Sequence, residues 1–391
     1  MCWKGRYLTE TMKNNVYMKK LEPLFFLIVF FLLFGSLGYV MGTPNMLNTL
    51  MNTAYSLLIE TVFYIMGITV LSGALGKILV EFGVVGVLEK ILRPLMKPFW
   101  NLPGVAALGG VLTFLSDNPA IITLANDKNF SKYFKKYQLI SITNFGTAFG
   151  MGLVVIVFMA GRGFASAAII GLVGAVMGSI ISTRIAQRMI LKEKPDFDQY
   201  VVPSKVAEDE IKNDSVEVKE QSLFLRILNS LLDGGKSGVD LGLAIIPGVL
   251  IISTFVMMLT FGPGEEGYTG AAYEGIALLP AIAEKLDFIF EWLFGFTNPE
   301  LVAFPMTSLG AVGAALGLIP KFQASGLIDG NAIAVFTAMG MCWSGYLSTH
   351  TAMLDSLGYR ELTSKAIIAH TIGGLCAGII AHWLFVLVGL F

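Results

Sequence analysis

The sequence predicts an all-α, polytopic helical membrane protein with two inverted repeats, each containing a re-entrant broken helix. Three observations support this fold class. Of the 391 residues, 55% are hydrophobic and only 14% are charged, whereas a soluble domain carries about 25% charged residues. Several apolar segments are long enough to span a bilayer. Other apolar segments are interrupted by polar residues, and features of the first half recur in the second.

Charge and motif content narrow the function classes. The formal net charge is −1, so we expect no nucleic acid as a partner. Cys2, Cys342 and Cys376 lack the spacing of a disulfide framework or a zinc motif. The sequence contains no GxSxG, HExxH or P-loop motif, so we expect neither an enzyme nor a bound cofactor or metal. The expected partners are the lipid bilayer and a small-molecule solute, and association into a homo-oligomer stays open.

The N-terminal region, residues 1–50, predicts a cytoplasmic N-terminus and a first transmembrane helix. Several lysines and an arginine precede an apolar run over 24–41. This run is longer than the apolar core of a signal peptide and is followed by more apolar sequence, so we expect it to be uncleaved. The positive-inside rule places the preceding basic residues in the cytoplasm. We therefore expect a multi-pass protein of a bacterial inner membrane.

Further spanning segments follow along the chain. They cover 55–80, 138–160, 164–188, 238–261 and 366–391. Between the first two lies 83–100, in which apolar and basic residues alternate at helical spacing and two prolines occur. This pattern is typical of a helix lying in the membrane interface.

The stretch VLTFLSDNPAIITLAN, residues 111–126, is the clearest interruption of an apolar segment. Backbone can leave helical geometry at membrane depth only where protein or a water-filled cavity satisfies its polar groups. Such a break exposes carbonyls and a helix N-terminus, which suit an ion or a polar solute. Lysine-rich sequence lies on both sides, so we expect a re-entrant segment. The alternative is an ordinary helix end at the membrane surface with Asp117 as the N-cap.

A charged segment over 191–222 divides the chain into two parts. Within 192–222, fourteen residues are charged, as expected for a solvated cytoplasmic linker. It separates a predicted first repeat, 51–190, from a second, 223–391.

The two parts share short sequence patterns. LSDNPAIITL and TNFGTAFGMG in the first half resemble LSTHTAMLDSL and AHTIGGLCAG in the second, and LPGVAAL resembles NPELVAF. We therefore predict a second break at 348–350 and extra residues around 305–335 that the first half lacks. The stretch 262–300 holds seven acidic residues and one lysine, as expected for an external face, so the repeats start in opposite directions. The polar pairs are Ser116 with Ser348, Asn118 with His350, and Asn144 with His370.

Polar residues at and behind these breaks are the candidate solute-binding groups. Placing an ionisable or polar residue inside a membrane costs free energy, so such residues are functional candidates. They are Ser116, Asp117, Asn118, Asn144, Thr147, Ser348, Thr349, His350 and His370. A histidine bonded to a backbone carbonyl on a packed helix is the structural alternative.

Carboxylates in apolar surroundings are the candidates for coupling to Na⁺ or H⁺. They are Glu60, Asp240 and Asp355. For Asp240, a salt bridge to Lys236 one turn earlier is an equally good interpretation.

The combination of a short acidic helix, GLP- or NPE-type turns, an NPA break and the FGTAFGMG helix resembles the Gate, or nucleoside-recognition, family. That family includes concentrative nucleoside transporters, the membrane part of the ferrous-iron transporter, and spore maturation proteins A and B. The resemblance covers 51–190 and 225–391 and implies a paired-Gate membrane protein. Because the family's base-reading and cysteine motifs are replaced here by Ser-Asp-Asn-Pro and Ser-Thr-His-Thr, it does not imply a particular solute.

We therefore predict an ion-coupled secondary transporter of a small polar solute that works by alternating access. Two alternatives stay open: a non-transporting membrane scaffold or regulator of the spore-maturation type, and a divalent-metal permease. The permease would require His350, Asp355 and His370 to converge.

Overall fold

A computed structural model describes residues 3–201 and 222–389, with side chains from residue 21 onward. Within these residues the chain forms helices and loops, with two isolated β-bridges. The predicted linker falls largely on 202–221, outside the described residues. In the described part of the chain, six helical segments are long and apolar enough to span a membrane: 21–41, 43–81, 136–161, 165–193, 223–260 and 360–389. A polytopic helical membrane protein is thereby confirmed.

The first half forms ten α-helices, and α2 continues into α3 through a π-helical turn at Leu57–Val62. The helices are α1 Trp3–Met41, α2 Thr43–Ser56, α3 Phe63–Glu81, α4 Val84–Leu95, α5 Ala106–Leu115, α6 Pro119–Asn126, α7 Lys128–Ser131, α8 Lys136–Thr147, α9 Gly152–Gly161 and α10 Ala165–Glu193.

The second half forms another ten, and a π-helical segment, Gly248–Ser253, leads into α12. The helices are α11 Leu223–Ala244, α12 Thr254–Thr260, α13 Leu278–Ala283, α14 Asp287–Phe294, α15 Ala303–Ser308, α16 Val312–Leu316, α17 Ile319–Ala324, α18 Gly330–Cys342, α19 Tyr346–Ser356 and α20 Thr363–Gly389.

The order of elements is similar in the two halves. Each begins with a long helix containing a π-helical turn, α2–α3 or α11–α12. Short helices follow, then helices separated by a break, α5 and α6 in the first half and α15 to α17 in the second. An interrupted helix comes next, α8–α9 or α18–α19, and finally a long helix, α10 or α20. The inverted orientation of the halves and the re-entrant course of the broken pairs stay predictions, since both are defined relative to a bilayer.

This element order corrects the sequence alignment of the halves. The break between α18 and α19 lies at 343–345, whereas Ser348 and His350 lie inside α19. The region 305–335 is not extra, because it contains the α15–α17 pair, whose break at 309–311 is the counterpart of the 116–118 break. The predicted pairs Ser116–Ser348, Asn118–His350 and Asn144–His370 therefore do not match in position.

The polar run of α19 stays helical because its side chains bond to the preceding turn. The Thr351 hydroxyl donates to the Leu347 carbonyl at 2.8 Å, and the His350 ring donates to the Tyr346 carbonyl. Such bonds to the residue four positions earlier let serine, threonine and histidine remain within a helix. Polarity alone therefore placed the break a few residues too late.

Helices of the two halves pack against each other, α3 against α11 and α10 against α20. The α3–α11 crossing is close because glycines face backbone: a β-carbon on Gly238 would lie 2.3 Å from the Thr69 carbonyl oxygen, and one on Gly73 would lie 2.4 Å from the Gly234 carbonyl oxygen. The Thr69 hydroxyl also donates to the Gly238 carbonyl at 2.7 Å. Small residues at such crossings let membrane helices approach closely.

A loop of the second half, residues 268–274, lies along one polar face of α2; we call it the strap. Asn45 and Asn52 donate to strap carbonyls at 2.7 and 2.8 Å, and Thr53 accepts the Tyr273 backbone N–H at 2.8 Å. Glu274, only 4% exposed, accepts bonds from the strap backbone and from the Thr49 hydroxyl. The strap thereby satisfies the polar face of a helix that is otherwise apolar.

Candidate functional site

In the part of the chain that the structure describes, four helix interruptions lie at corresponding places in the two halves. They separate α5 from α6, α8 from α9, α15 from α16, and α18 from α19. Local sequence explains them: Pro119 follows the first, Met151 takes a left-handed conformation at the second (φ 55°), and glycines flank the third and fourth. Each interruption frees backbone groups that a continuous helix would have paired.

These four interruptions converge on one cavity of about 360 Å³, which we call the central cavity. Met151 contributes from the second interruption and Ala311 from the third. The polar residues of its lining are Asp117, Asn118, Ser344, Ser348 and Thr349. Its volume lies within the range of about 300–1,000 Å³ typical of small-molecule sites. The cavity therefore has the size and polarity of a site for a small polar solute.

The Asn118 side chain is central to this arrangement. It is 5% exposed, and its amide nitrogen lies 3.4 Å from the Ser344 hydroxyl, which in turn donates to the Thr147 carbonyl at 3.0 Å. Its Oδ1 atom is buried without a partner. Although Asn118 is the N-cap residue of α6, its side chain makes no capping bond. A buried amide oxygen without a partner is costly, so it is available to a ligand or an ion.

Glycines at two interruptions make room for this amide. A β-carbon on Gly150 would lie 2.2 Å from Asn118 Oδ1, and one on Gly345 would lie 2.3 Å from Asn118 Nδ2. Since ordinary carbon contacts begin at about 3.4 Å, both positions require glycine for the amide to stay in place.

A second cavity of about 450 Å³ lies between the first interruption and the α3–α11 crossing. Ser116, Asp117, Lys77 and Asp240 are among the residues lining it, and Asp117 Oδ1 is buried without a partner. Asp240 forms no salt bridge with Lys236 or with any other residue in the described part of the chain, so the structural alternative for this carboxylate is not realised. Because Asp117 lines both cavities, the first interruption separates them.

Behind the central cavity lies a fully buried polar network around His370. Its Nε2 faces the Cys342 carbonyl, and a carbonyl only accepts, so Nε2 carries the hydrogen. Nδ1 then accepts from the Ser182 hydroxyl at 3.0 Å, and Ser182 accepts from the Asn144 amide at 2.9 Å. Thr147 Oγ1 lies 3.2 Å from His370 Nε2. Both ring nitrogens of His370 are therefore satisfied with the imidazole neutral.

His350 lies against His370, with ring centroids 4.5 Å apart. Its Nδ1 donates to the Tyr346 carbonyl, while Nε2 is buried without a partner. Neither ring lines the central cavity. The Nδ1 atom of His350 thus makes the bond to a backbone carbonyl that was expected as the structural alternative. The Nε2 atom has no partner.

The other predicted coupling carboxylates lie elsewhere. Glu60 is exposed on the helix surface and accepts from Ser56 at 2.9 Å. Asp355 is exposed and lies 3.8 Å from Arg360. It therefore does not converge with the buried His350 and His370, as a divalent-metal permease would need, and no group of three metal-ligating side chains occurs among the described residues.

Sequence reasoning missed the contributions of Ser344, Met151 and 309–311 to the central cavity. The signals were glycines rather than polar residues: FGTAFGMG, TSLGAVG and CWSG each place glycine at an interruption. Polar residues drew attention instead to α19, where only Ser348 and Thr349 reach the cavity.

Comparison with known proteins supports this architecture. Residues 62–163, which include the first two interruptions, match the family model described as Gate, nucleoside recognition. A search of curated proteins finds no match.

Solved structures of a concentrative nucleoside transporter, CNTnw, are similar in fold. The inward-facing, substrate-bound structure is 14% identical, with a TM-score of 0.50 over 97% of this chain and 87% of that chain. A variant in an intermediate state is 12% identical, with a TM-score of 0.51 over 97% and 87%. A variant in an outward-facing state is 13% identical, with a TM-score of 0.51 over 96% and 86%. The chain is thus a polytopic helical membrane protein whose residues 62–163 match the Gate model and whose fold is similar to that of these transporter structures.

Proposed function

We propose that the protein is a secondary active transporter that moves a small polar solute across a bacterial inner membrane by alternating access. The convergence of four helix interruptions on one polar cavity carries this proposal. Irregular backbone at membrane depth is tolerated where it lines a cavity, and interrupted helices at a repeat interface form the solute sites of many transporters. The Gate match and the transporter fold agree with it.

The central cavity is the proposed solute site. Asn118 offers an unpartnered oxygen, and Ser344, Ser348 and Thr349 offer hydroxyls. These groups suit a neutral solute with several hydrogen-bonding groups, such as a nucleoside-like molecule. Asn144, Thr147 and His370 act behind the cavity in this proposal, since their bonds fix α8, α10 and α20 relative to one another.

Coupling to Na⁺ or H⁺ is proposed at the first interruption. Asp117 and Asn118 each hold a buried oxygen without a partner, and oxygen ligands suit hard cations. Asp240, which lines the second cavity without a salt bridge, is the second coupling candidate. Glu60 and Asp355 line neither of these two cavities.

The test uses purified protein in two steps. A thermal-shift screen against nucleosides, amino acids and carboxylates first finds a solute that raises the apparent stability. Uptake of that solute into proteoliposomes is then measured under Na⁺ or proton gradients. We expect Asn118→Ala to lower uptake at least tenfold, because it removes the unpartnered oxygen at the centre of the cavity.

Asn129→Ala is the matched control, since Asn129 is an exposed asparagine of α7 that does not line either cavity. It should keep full uptake. Equal uptake by both variants would refute the site. Absence of flux for every solute that stabilises the protein would favour a membrane scaffold instead.

A further inference from the structure

A third cavity, of about 460 Å³, is separate from the polar sites and differs from them in chemistry. Every lining residue is apolar or glycine, and the single polar atom group, the Trp100 indole N–H, already donates to Ser179 at 2.8 Å. The lining is drawn from α3, α4, α5 and α8–α10 and includes Leu92, Trp100, Val111, Phe114, Phe149 and Val176. A cavity without polar partners holds no ordered water, so its natural occupant is hydrocarbon.

The cavity opens beside α4, the helix predicted to lie in the membrane interface. Leu88, Leu92 and Leu95 line the cavity and are partly exposed, so the opening faces the surroundings of the protein. In the bilayer these surroundings are acyl chains. An acyl chain can therefore enter sideways without crossing a polar barrier.

The other face of α4 carries Lys90 and Arg93, and Lys97 follows in the π-helical segment Met96–Trp100. Arg93 is paired with Glu89 at 2.7 Å. Lys90 and Lys97 are exposed and form no salt bridge with any residue from 21–201 or 222–389. Two ammonium groups without a salt bridge thus lie on the face opposite the leucines that border the opening. Cationic residues at the membrane surface attract anionic lipid headgroups, and lysine side chains extend along apolar surface to reach them.

We infer that this cavity binds one acyl chain of an anionic phospholipid, with its phosphate held by Lys90 and Lys97. The charge of α4 selects an anionic headgroup, and the apolar lining accepts the chain. The innermost wall includes Phe114, whose ring would lie 2.3 Å from a β-carbon on Gly152 at the start of α9. The bound chain therefore packs against α5 and against α8 and α9, the helices on the two sides of the second interruption.

The experiment uses the tryptophan of the cavity as a reporter, because bromine atoms on an acyl chain quench nearby indole fluorescence. The full chain is reconstituted in phosphatidylcholine vesicles with increasing fractions of brominated phosphatidylglycerol or brominated phosphatidylcholine. The Trp100 signal is the difference between the protein and its Trp100→Phe variant. We expect half-maximal quenching at a clearly lower fraction of the anionic lipid than of the neutral one.

Two pairs of variants make the assignment specific. The double variant Lys90→Gln with Lys97→Gln should raise the fraction of anionic lipid at half-maximal quenching by about fivefold for each lysine removed. The control variant Lys192→Gln with Lys236→Gln removes two exposed lysines that do not line the cavity and should leave that fraction unchanged. Val176→Phe should narrow the cavity and weaken the quenching, whereas Val173→Phe, on the exposed side of α10, should leave it unchanged.

Three outcomes would overturn the inference. Equal quenching by the two brominated lipids would show ordinary contact with bulk lipid. An unchanged response of the Lys90 and Lys97 variant would remove the headgroup assignment. Quenching that is as strong in Val176→Phe as in Val173→Phe would place the bromine outside the cavity.

Discussion

Gly150→Ala is the substitution that most directly tests the geometry of the central cavity. The new methyl carbon would lie 2.2 Å from Asn118 Oδ1 and 2.4 Å from the Ser344 hydroxyl oxygen. Both distances are at least 1 Å short of ordinary contact, about 3.4 Å, so the amide must move out of its place. Overpacking of a well-packed interior costs about 1–3 kcal/mol. We therefore expect a lower apparent unfolding temperature and at least a tenfold loss of solute uptake.

The clash of the new methyl group is local, so the loss of stability should depend on whether the Asn118 amide is present. In an Asn118→Ala background the amide is absent, so the contact at 2.2 Å is removed while the contact with Ser344 remains. We expect the cost of Gly150→Ala to fall by at least half there, which a double-mutant cycle of thermal stability measures. Unfolding is followed at one scan rate for all four proteins, because membrane proteins commonly unfold irreversibly. An equal cost in both backgrounds would refute the proposed position of the amide.

Three further predictions concern the helix crossing, the buried network and the strap. Gly238→Ala should destabilise the protein by about 1–3 kcal/mol, since the new carbon meets the Thr69 backbone at 2.3 Å, whereas Gly235→Ala, with its nearest atom at 3.6 Å, should be neutral or stabilising in the same thermal assay. Ser182→Ala should cost about 1–3 kcal/mol because it leaves His370 Nδ1 without a donor; a cost no greater than that of Ser166→Ala, at an exposed position of α10, would contradict the network. Burial raises the pKa of Glu274, but hydrogen bonds from Thr269, Gly270 and Thr49 outweigh this effect and hold the pKa below its ordinary value. The ionised carboxylate therefore stabilises the folded protein fully above the unfolded pKa of about 4.3. This stabilisation is lost as the pH falls through the lowered pKa of the folded state. The difference in stability between the protein and Glu274→Gln should accordingly be about 2 kcal/mol near pH 7 and shrink in acid, and a difference that is independent of pH would contradict the role of the carboxylate.

Much of the fold could be predicted because bilayer solvation leaves a strong pattern in the sequence. Apolar length identified the spanning helices, and the Ser-Asp-Asn-Pro stretch identified the first interruption, since proline removes a backbone donor and disfavours helix before it. A helix at 84–95 was also expected from its alternating apolar and basic residues, and its position in the membrane interface stays a prediction.

The second half was harder to predict because polarity and backbone breaks are different properties. Ser348, Thr349 and His350 are polar but lie within a helix, whereas 309–311 and 343–345 break helices with little polarity. Glycine permits an interruption without requiring one, so the sequence of TSLGAVG is compatible with either outcome. The pairing of a break with its counterpart depended on the order of whole elements, which local sequence similarity did not reveal.

The difference between polarity and backbone breaks also explains which residues of the candidate site were predicted. Asp117 and Asn118 were found because a break and polar side chains coincide there. Ser344 was missed because its role arises from a tertiary contact with Asn118, 226 positions away. Glu60 and Asp355 were selected as charges in apolar sequence, yet each lies on an exposed surface with a local partner.

The strap has a consequence for how the gene product can be divided. Asn45, Asn52 and Thr53 on α2 find their partners only in residues contributed by the other half. Expressed alone, the first half would lack these partners, and each lost hydrogen bond costs about 0.5–1.5 kcal/mol. We therefore expect the first half to be less stable alone than with the second half, although the residues that match the Gate model, 62–163, do not include α2.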